Sequence, residues 1–419
     1  MNRPLVSATA LALCVACPSI FAQTFSASLK SDLGSYFNSR DILSFSQDFP
    51  QEVEGKVEGK VGNPDAPDAQ YSATLRVYFD PTTAATTPFA ATILSLREAW
   101  LKAFLGPVDL SIGNQIVAWG STDIFTPVDV VNALDYTLPF SPEKTPEFMG
   151  RAILNGQGFS VDLVFVPFWN GDILPGPRWF GSEFPLPPGV SLSLLNSPPA
   201  PSWDNVQFGG RFQASLDWFQ GVDVGLTYYR GVNTLPANAF SFGSVNSQTV
   251  TLTPTATPGQ FIAVYDRYNL VGVDGDVALG SGLLLRTELG YKTFSDTNLF
   301  NPDAGLGAAE WVTAGEYTFF GIKTIGEFAL DWMKGAPDDT YLKTFILIVS
   351  TDLDSRSSLK GVGGWNLDGS GFVSPQFSYT IADGLKAELT VYFFLGGSST
   401  MFGQFNENNY GEVSLTYAF

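Results

Sequence analysis

Apolar and polar side chains alternate with a period of two in segment after segment of this 419-residue chain. In residues 283–292, Leu285 and Leu289 alternate with Arg286 and Glu288. Similar alternation occurs in residues 71–80, 206–218, 222–228 and 385–393. A period of two places successive side chains on opposite faces of a β-strand. Beyond the N-terminal stretch no run of 18 apolar residues occurs, so the sequence predicts strands and excludes membrane-spanning helices.

The connections between the predicted strands alternate between short and long. The short ones are residues 105–107, 155–156, 220–221, 280–282, 320–321 and 382–384. The long ones are residues 120–148, 169–203, 233–259, 293–308 and 396–408. Alternation of side chains alone also fits a soluble β-sandwich, but a sandwich has no physical reason to repeat this asymmetry.

The sequence therefore predicts an all-β fold, a transmembrane antiparallel up-and-down β-barrel with short periplasmic turns and long extracellular loops. About 18 strands can be counted, with 16 as the alternative, since single-chain barrels normally have an even number. The least regular segments are residues 53–62, residues 352–358 and the strand that contains Pro375, whose ring removes a ladder hydrogen bond.

The N-terminus carries Arg3 before an apolar run over residues 5–22, which is typical of a signal peptide. We expect residues 1–22 to be the signal peptide, cleaved after Ala22, and residues 23–419 to form the barrel. Both cysteines, Cys14 and Cys17, lie in the predicted signal peptide, so their spacing indicates neither a redox site nor a metal site. A lipid-modified cysteine is a minor alternative.

The last segment alternates as well and ends on an aromatic residue. Val413, Leu415, Tyr417 and Phe419 share one face of residues 411–419. This pattern resembles the C-terminal signal by which outer-membrane barrels are recognised. It implies export through the periplasm, recognition by the barrel assembly machinery and an integral place in a bacterial outer membrane.

A further resemblance lies in residues 96–120, which read LREAWLKAFLGPVDLSIGNQIVAWG, and in the following DIFTP at residues 123–127. Together with VDLVFVPFW at residues 161–169, this stretch resembles outer-membrane barrels of the porin and alginate-export-like group. The resemblance implies a passive channel or an exporter, and it names no solute.

Several chemistries are excluded or disfavoured by composition. The chain has no histidine, so the Ser-His and Asp-His hydrolytic arrangements cannot be built, and no enzyme, cofactor or metal site is expected. The acid pairs Glu310 with Glu316 and Asp338 with Asp339 are interpreted as solvated side chains. A net charge of −19 disfavours nucleic acid as a partner.

Charged residues on the predicted inward faces are the candidate pore lining. They are Arg76, Lys102, Arg151, Arg211, Asp217, Asp223, Arg286, Glu288, Lys386 and Glu388, with Asp162 beside them. Such a mixed-charge lumen could filter solutes. Alternatively, the charges could simply satisfy one another across adjacent strands.

Two long connections are candidates for entering the lumen. Trp169, Arg178, Trp179 and Phe180 lie in the loop over residues 169–203, which we interpret as a constriction or plug. The alternative is a loop packed on the rim or against lipid at the level of lipopolysaccharide. Residues 126–134 could form one or two helical turns inside the lumen or outside it.

The sequence thus predicts a porin that allows passive diffusion of small hydrophilic solutes. Two alternatives stay open: a transporter for hydrophobic compounds, suggested by the apolar residues 186–201, and an adhesin that uses the barrel as an anchor. The expected partners are outer-membrane lipid with lipopolysaccharide or its equivalent, the assembly machinery and small solutes. A homo-oligomer is also possible.

Overall fold

The structure, a computed structural model, describes residues 21–38, 41–48, 50–63, 65–79, 92–137, 142–173, 193–196, 199–217, 221–234, 260–263, 265–280, 282–294, 307–333 and 343–419. These residues form strands, turns and two short 3₁₀ segments, Trp203–Asn205 and Gly403–Phe405. None of the described helical segments has the length and apolarity needed to cross a membrane.

The described strands are numbered in chain order. They are β1 (Phe21–Asn38), β2 (Asp41–Asp48), β3 (Gln51–Asn63), β4 (Ala66–Phe79), β5 (Thr92–Leu105), β6 (Val108–Gln115), β7 (Leu134–Asp135), β8 (Glu143–Lys144), β9 (Glu147–Asn155), β10 (Phe159–Val166), β11 (Ser193–Asn196), β12 (Gln207–Leu216), β13 (Val222–Val232), β14 (Gln260–Ala263), β15 (Arg267–Leu279), β16 (Leu283–Phe294), β17 (Gly307–Phe319), β18 (Ile322–Met333), β19 (Lys343–Asp352), β20 (Ser357–Asn366), β21 (Gly371–Ala382), β22 (Leu385–Leu395) and β23 (Asn409–Ala418).

Eighteen of these strands form one closed antiparallel ring. The ring runs β1-β3-β4-β5-β6-β9-β10-β12-β13-β15-β16-β17-β18-β19-β20-β21-β22-β23 and returns to β1. β23 pairs with β1 from Ser28↔Ala418 to Phe37↔Asn409, which closes the ring. β2 pairs with the last part of β1, from Gly34 to Asn38. Outside the ring, β7 pairs with β8, and β11 pairs with β14. The predicted 18-strand up-and-down barrel is therefore confirmed.

The two faces of each strand differ as the alternation predicts. On β16, Leu285 and Leu289 are exposed on the outward face, while Glu288 between them is 0% exposed and contacts residues inside the barrel. On β23, the side chains of the predicted assembly signal, Val413, Leu415, Tyr417 and Phe419, are all exposed. An apolar outer surface of this kind suits contact with acyl chains.

One end of the barrel carries short turns, and the other end carries the long loops together with the four-residue connection 367–370. Neighbouring strands are joined at the first end by residues 64–65, 106–107, 156–158, 217–221, 280–282, 320–321, 353–356 and 383–384. The segments expected to be least regular also lie in the ring, because residues 53–62 belong to β3 and Pro375 belongs to β21. No pairing of Ser374 or Pro375 with β22 is present, although the register continues on either side.

β1 begins at Phe21, two residues before the predicted start of the barrel. Residues 1–20 lie outside the described part of the chain, and the cleavage site after Ala22 remains a prediction.

A charged side chain at the middle of the outward face should destabilise the barrel. Val273 lies at the centre of β15 and is exposed outward. We expect Val273→Arg to lower the free energy of unfolding by about 2–4 kcal/mol, because the guanidinium would lie at the bilayer midplane. Urea unfolding of the protein in lipid vesicles measures this change.

The matched control is Gln213→Arg on the inward face of β12, where water can solvate the new charge. An equal loss of stability for the two variants would contradict the assignment of the faces.

Candidate functional site: an inner loop across the lumen

The connection between β6 and β9, residues 116–146, turns into the barrel; we call it the inner loop. It is described except for residues 138–141. Its two ends are tied together by Asn132, which accepts a hydrogen bond from the Val117 N–H at 2.8 Å and donates to Gln115 O at 3.0 Å and Thr145 O at 2.9 Å. Lys144 Nζ adds a hydrogen bond to Val117 O at 2.6 Å. These contacts fix the base of the inner loop.

The next contact is with the wall at β9 and β10. Trp119 Nε1 donates to Asp162 Oδ2 at 2.9 Å. The same carboxylate accepts two hydrogen bonds from Arg151, Nε to Oδ1 at 2.9 Å and Nη2 to Oδ2 at 2.7 Å. A bidentate arginine fixes the orientation of a carboxylate. Arg151 thus orients Asp162 toward the inner loop.

Glu288 on β16 holds the following turn of the loop. Its Oε1 accepts hydrogen bonds from Ser121 N at 2.5 Å, Thr122 N at 2.6 Å and Thr122 Oγ1 at 2.7 Å. Gly120 precedes this turn with a φ of +101°, and a Cβ at that position would lie 2.4 Å from Glu288 Oε1. Glycine is therefore required here for both conformation and space.

Glu327 on β18 binds the tip of the inner loop in the same way. It accepts hydrogen bonds from the backbone N–H groups of Asp123 at 3.2 Å, Ile124 at 3.3 Å and Phe125 at 2.6 Å. Asp123 also forms an ion pair with Arg286. Hydrogen bonds to charged groups contribute about 1.5–3 kcal/mol each. We call Glu288 and Glu327 the clasp carboxylates.

Apolar contacts complete the anchoring. Phe125 is buried in a cluster with side chains of the barrel wall and of the loop between β22 and β23. Val128 packs on β15 at Gly272, where a Cβ would lie 2.3 Å from Val128 Cγ1. Pro127 packs on Gly290 of β16, where a Cβ would lie 3.0 Å from Pro127 Cβ. The small residues on the wall allow the loop to lie directly on the strands.

The helical turns predicted for residues 126–134 are wrong, because this segment contains a β-turn in which Asp129 N donates to Thr126 O at 3.0 Å. The alternative that placed the segment in the lumen is confirmed. Pro127 and Val128 pack on the inward faces of two strands, which draws the chain away from helical geometry.

The inner loop reaches both sides of the lumen. Glu143, near its end, accepts hydrogen bonds from Arg76 of β4 at 3.2 Å and Arg97 of β5 at 3.1 Å. β4 and β18 lie on roughly opposite sides of the ring. The loop between β22 and β23 also folds inward, since Phe402 and Phe405 are buried in the same cluster as Phe125 of the inner loop. The lumen is therefore constricted by chain held from several directions.

The other predicted pore-lining residues lie on the inner wall or its rim. Lys102 Nζ lies 5.9 Å from the Trp100 ring centroid and 5.8 Å from that of Phe104. Glu388 accepts hydrogen bonds from Ser378 Oγ at 3.0 Å and Lys386 Nζ at 2.8 Å.

Arg211 is 4% exposed and pairs with Asp274, while also donating to Gly120 O at 3.4 Å. Asp223 lies on the inward face of β13, and Asp217 is exposed just beyond the end of β12. Their role in conduction remains a prediction.

The loop predicted to constrict the lumen is only partly described. Trp169 lies near the rim, where its Nε1 donates to Asn233 O at 3.1 Å and its ring contacts Tyr265 with centroids 4.4 Å apart. Arg178, Trp179 and Phe180 lie outside the described residues, and their role stays a prediction. The constriction seen in the described part of the chain is built by residues 116–146.

Several residues that position the inner loop were missed by the sequence analysis. Glu327, Asn132 and Lys144 belong to this group. Glu327 lies two residues after Ile325 and two residues before Ala329 in β18. Its position in this alternating segment was the available sequence signal. Asn132 and Lys144 lie in an irregular connection and carry no periodic signal.

Burial raises the pKa of two carboxyl groups in the connecting loops. Burial raises the pKa of Asp129, although Lys144 beside it acts in the opposite direction. Burial also raises the pKa of Asp172 to about 6, opposed by a hydrogen bond from the Leu134 N–H at 2.7 Å. Asp172 thereby connects the inner loop to the chain that follows β10.

No group of three Asp, Glu, His or Cys side chains among the described residues could hold a metal ion.

The closed ring with a loop folded into its lumen is the architecture of a porin. The chain belongs to the family described as "Protein of unknown function (DUF1302)", whose model matches residues 36–340. No curated protein matches the sequence.

Among solved structures, OccK2 (OpdF) of Pseudomonas aeruginosa is similar, with a TM-score of 0.56 and 10% identity over 95% of this chain and 97% of that one. OccAB3 of Acinetobacter baumannii is similar with a TM-score of 0.55 and 8% identity over 95% and 99%. The expected resemblance to porins is confirmed at the level of the fold.

Removing the clasp carboxylates should release the inner loop. We expect Glu288→Ala combined with Glu327→Ala to raise single-channel conductance and its fluctuations in a planar bilayer, since six hydrogen bonds to the loop are lost. Asp204→Asn in the 3₁₀ segment Trp203–Asn205 is the control, because Asp204 is exposed and contacts neither the inner loop nor another predicted pore-lining residue. Conductance equal to that of the unaltered protein would show that the clasp does not hold the constriction.

The Asp172 carboxyl should make stability depend on pH. Since its pKa in the folded protein is about 6 and the ordinary value is lower, the folded state binds more protons in the interval between them. Stability should therefore fall as pH rises from about 4 to about 6 and then level off. Between these pH values the free energy of unfolding should decrease by on the order of 2 kcal/mol, and we expect Asp172→Asn to remove this decrease. Urea unfolding at a series of pH values measures it, and identical profiles for both proteins would exclude the effect.

Proposed function

We propose that this protein is an outer-membrane porin that allows small hydrophilic solutes to diffuse passively along the part of the lumen that the inner loop leaves open. The supporting observation is the contrast between two sectors of the wall. Where the inner loop is anchored, Arg211, Glu288 and Glu327 are almost fully buried. On β1, β3 and β22 the charged side chains of Lys30, Lys56, Glu58 and Lys386 are 39–51% exposed.

Exposed charges inside a closed barrel require water around them, because an unsolvated charge is costly to bury. The inward faces of β1, β3 and β22 are neighbours in the ring through β23. A hydrated strip therefore lies beside the constriction, and ions and polar solutes can follow it. An apolar solute gains nothing from such a surface.

The charge of the interior favours cations. Among the described buried charged residues, eight are carboxylates and one, Arg211, is a cation. The carboxylates are Asp32, Glu147, Asp162, Asp266, Asp274, Glu288, Glu327 and Asp331. Asp32, Asp162 and Asp274 are ion-paired with Lys30, Arg151 and Arg211. We therefore attribute the preference for cations to Glu288 and Glu327, which form no ion pair with a described residue, because negative charge in a low-dielectric enclosure raises the local concentration of cations.

The similar protein OccK2 has been solved in complex with glucuronate, a small polar solute. That structure has a TM-score of 0.54 to this chain at 10% identity and supports the size and polarity of the proposed solutes only. An integral place in a bacterial outer membrane, reached after removal of residues 1–22, belongs to the same proposal. So do contacts with outer-membrane lipid and lipopolysaccharide, with the assembly machinery and, in a homo-oligomer, with a second copy.

Reconstitution tests the proposal. In a planar bilayer with a salt gradient we expect open-channel currents and a reversal potential of the sign that indicates cation preference. In liposome swelling assays, small sugars should enter and larger ones should be excluded. An anchor for an adhesin or a transporter for hydrophobic compounds would give neither currents nor sugar entry, and that outcome would refute the porin.

A further inference from the structure

Two arginines of the barrel wall converge on one carboxylate oxygen of the inner loop. Arg76 Nη1 on β4 and Arg97 Nη2 on β5 lie 3.2 Å and 3.1 Å from Glu143 Oε2. We call Arg76 and Arg97 the arginine pair. Two guanidinium groups that point at the same place repel each other, and an anion between them offsets the repulsion. The structure shows that a carboxylate fits this place.

The wall itself builds the arginine pair. The register between β4 and β5 shifts by one residue, so that Arg97 and Glu98 both lie opposite Thr74 in a β-bulge. Bulges turn a side chain in a new direction and are common beside functional sites. Arg76 is held from its other side by an ion pair with Glu52 on β3. The pair therefore depends on the sheet and not on the inner loop.

The carboxylate that fills the pair is held less firmly. The Glu143 side chain is 55% exposed, whereas those of Arg76 and Arg97 are 18% and 19% exposed. Glu143 lies on β8, which has two residues and pairs with the equally short β7. Ion pairs with an exposed partner contribute little to stability. Another carboxylate can therefore compete with Glu143 for the same two guanidinium groups.

The arginine pair lies toward the long-loop end of the wall. Arg76 is close to the end of β4 and Arg97 is close to the start of β5, on either side of the connection 80–91. The pair is thus placed for solutes that enter from that end. The clasp carboxylates, to which we attribute the preference for cations, lie on β16 and β18, roughly across the ring.

We propose that the arginine pair is a binding site for solutes with a carboxylate group, and that Glu143 fills this site when no solute is bound. An entering carboxylate accepts the hydrogen bonds of Arg76 and Arg97 in place of Glu143, which releases that end of the inner loop from β4 and β5. Arginine suits this role because its planar N–H groups match the geometry of a carboxylate. The inference rests on the proposed function as a channel and names a class of solute that interacts with it.

Block of the single-channel current by gluconate, compared with the neutral polyol sorbitol, tests the site. Only gluconate has a carboxylate, so it should interrupt the current at concentrations where sorbitol does not. Arg97→Gln should raise the half-blocking concentration of gluconate about tenfold or more, because hydrogen bonds between charged groups are lost. Glu143→Gln should lower it about two- to fivefold, because the competing carboxylate is removed.

The opposite signs of these two shifts distinguish a binding site from a purely structural contact, since both substitutions break the same ion pair. Arg97→Lys keeps the charge without the planar group, so it should give an intermediate value, and it serves as the test if Arg97→Gln does not fold. Arg356→Gln is the control, because it removes an exposed positive charge from the short turn 353–356, and its block should equal that of the unaltered channel.

Two results in a conducting channel would overturn the site and leave the porin intact. One is equal block by gluconate and sorbitol, and the other is a shift in the same direction for Arg97→Gln and Glu143→Gln. An unaltered protein that passes no current would refute the porin itself.

Discussion

The fold depends on the hydrogen bonds between β23 and β1, because these close the ring. An open sheet in hydrocarbon would leave a row of backbone N–H and C=O groups unpaired, each at a cost of several kcal/mol. The pairing runs over ten residue pairs, from Ser28↔Ala418 to Phe37↔Asn409, and continues at the end of the chain, where Phe419 N donates to Ala27 O at 2.9 Å. Closure also separates an apolar outer surface from an enclosed lumen, and a channel requires that separation.

Inside the closed ring, buried carboxylates accept hydrogen bonds from N–H groups of the inner loop that have no backbone acceptor. The inner loop has few backbone partners of its own, so its N–H groups need acceptors. Glu288 and Glu327 supply them, and Asp162 receives the indole N–H of Trp119. The cation preference that we propose would depend on the same clasp carboxylates that hold the inner loop.

Much of the fold could be predicted from the sequence because a barrel strand is specified locally. The alternation around Glu288 assigns Leu285 and Leu289 to one face and Glu288 to the other, and the structure places them so. The asymmetry of the connections identifies the two ends of the barrel in the same local way.

The partners of the inward charges could not be predicted. Glu288 binds Ser121, 167 residues away, and nothing near either residue specifies that contact. The constriction was predicted in residues 169–203 because that loop is rich in tryptophan. The described constriction is instead the inner loop, whose composition is less distinctive. Its anchors are single glycines, Gly120, Gly272 and Gly290, whose importance appears only when the opposing side chains are seen.

Closure can be measured directly with cysteines, since the described residues contain none. Ser28→Cys with Ala418→Cys places two thiols at register partners of β1 and β23, within the usual Cα separation of a disulfide. The closed barrel predicts nearly complete cross-linking of the folded protein in lipid, and little for the offset pair Ser28→Cys with Thr416→Cys. Cross-linking of neither pair, or preference for the offset pair, would contradict the ring.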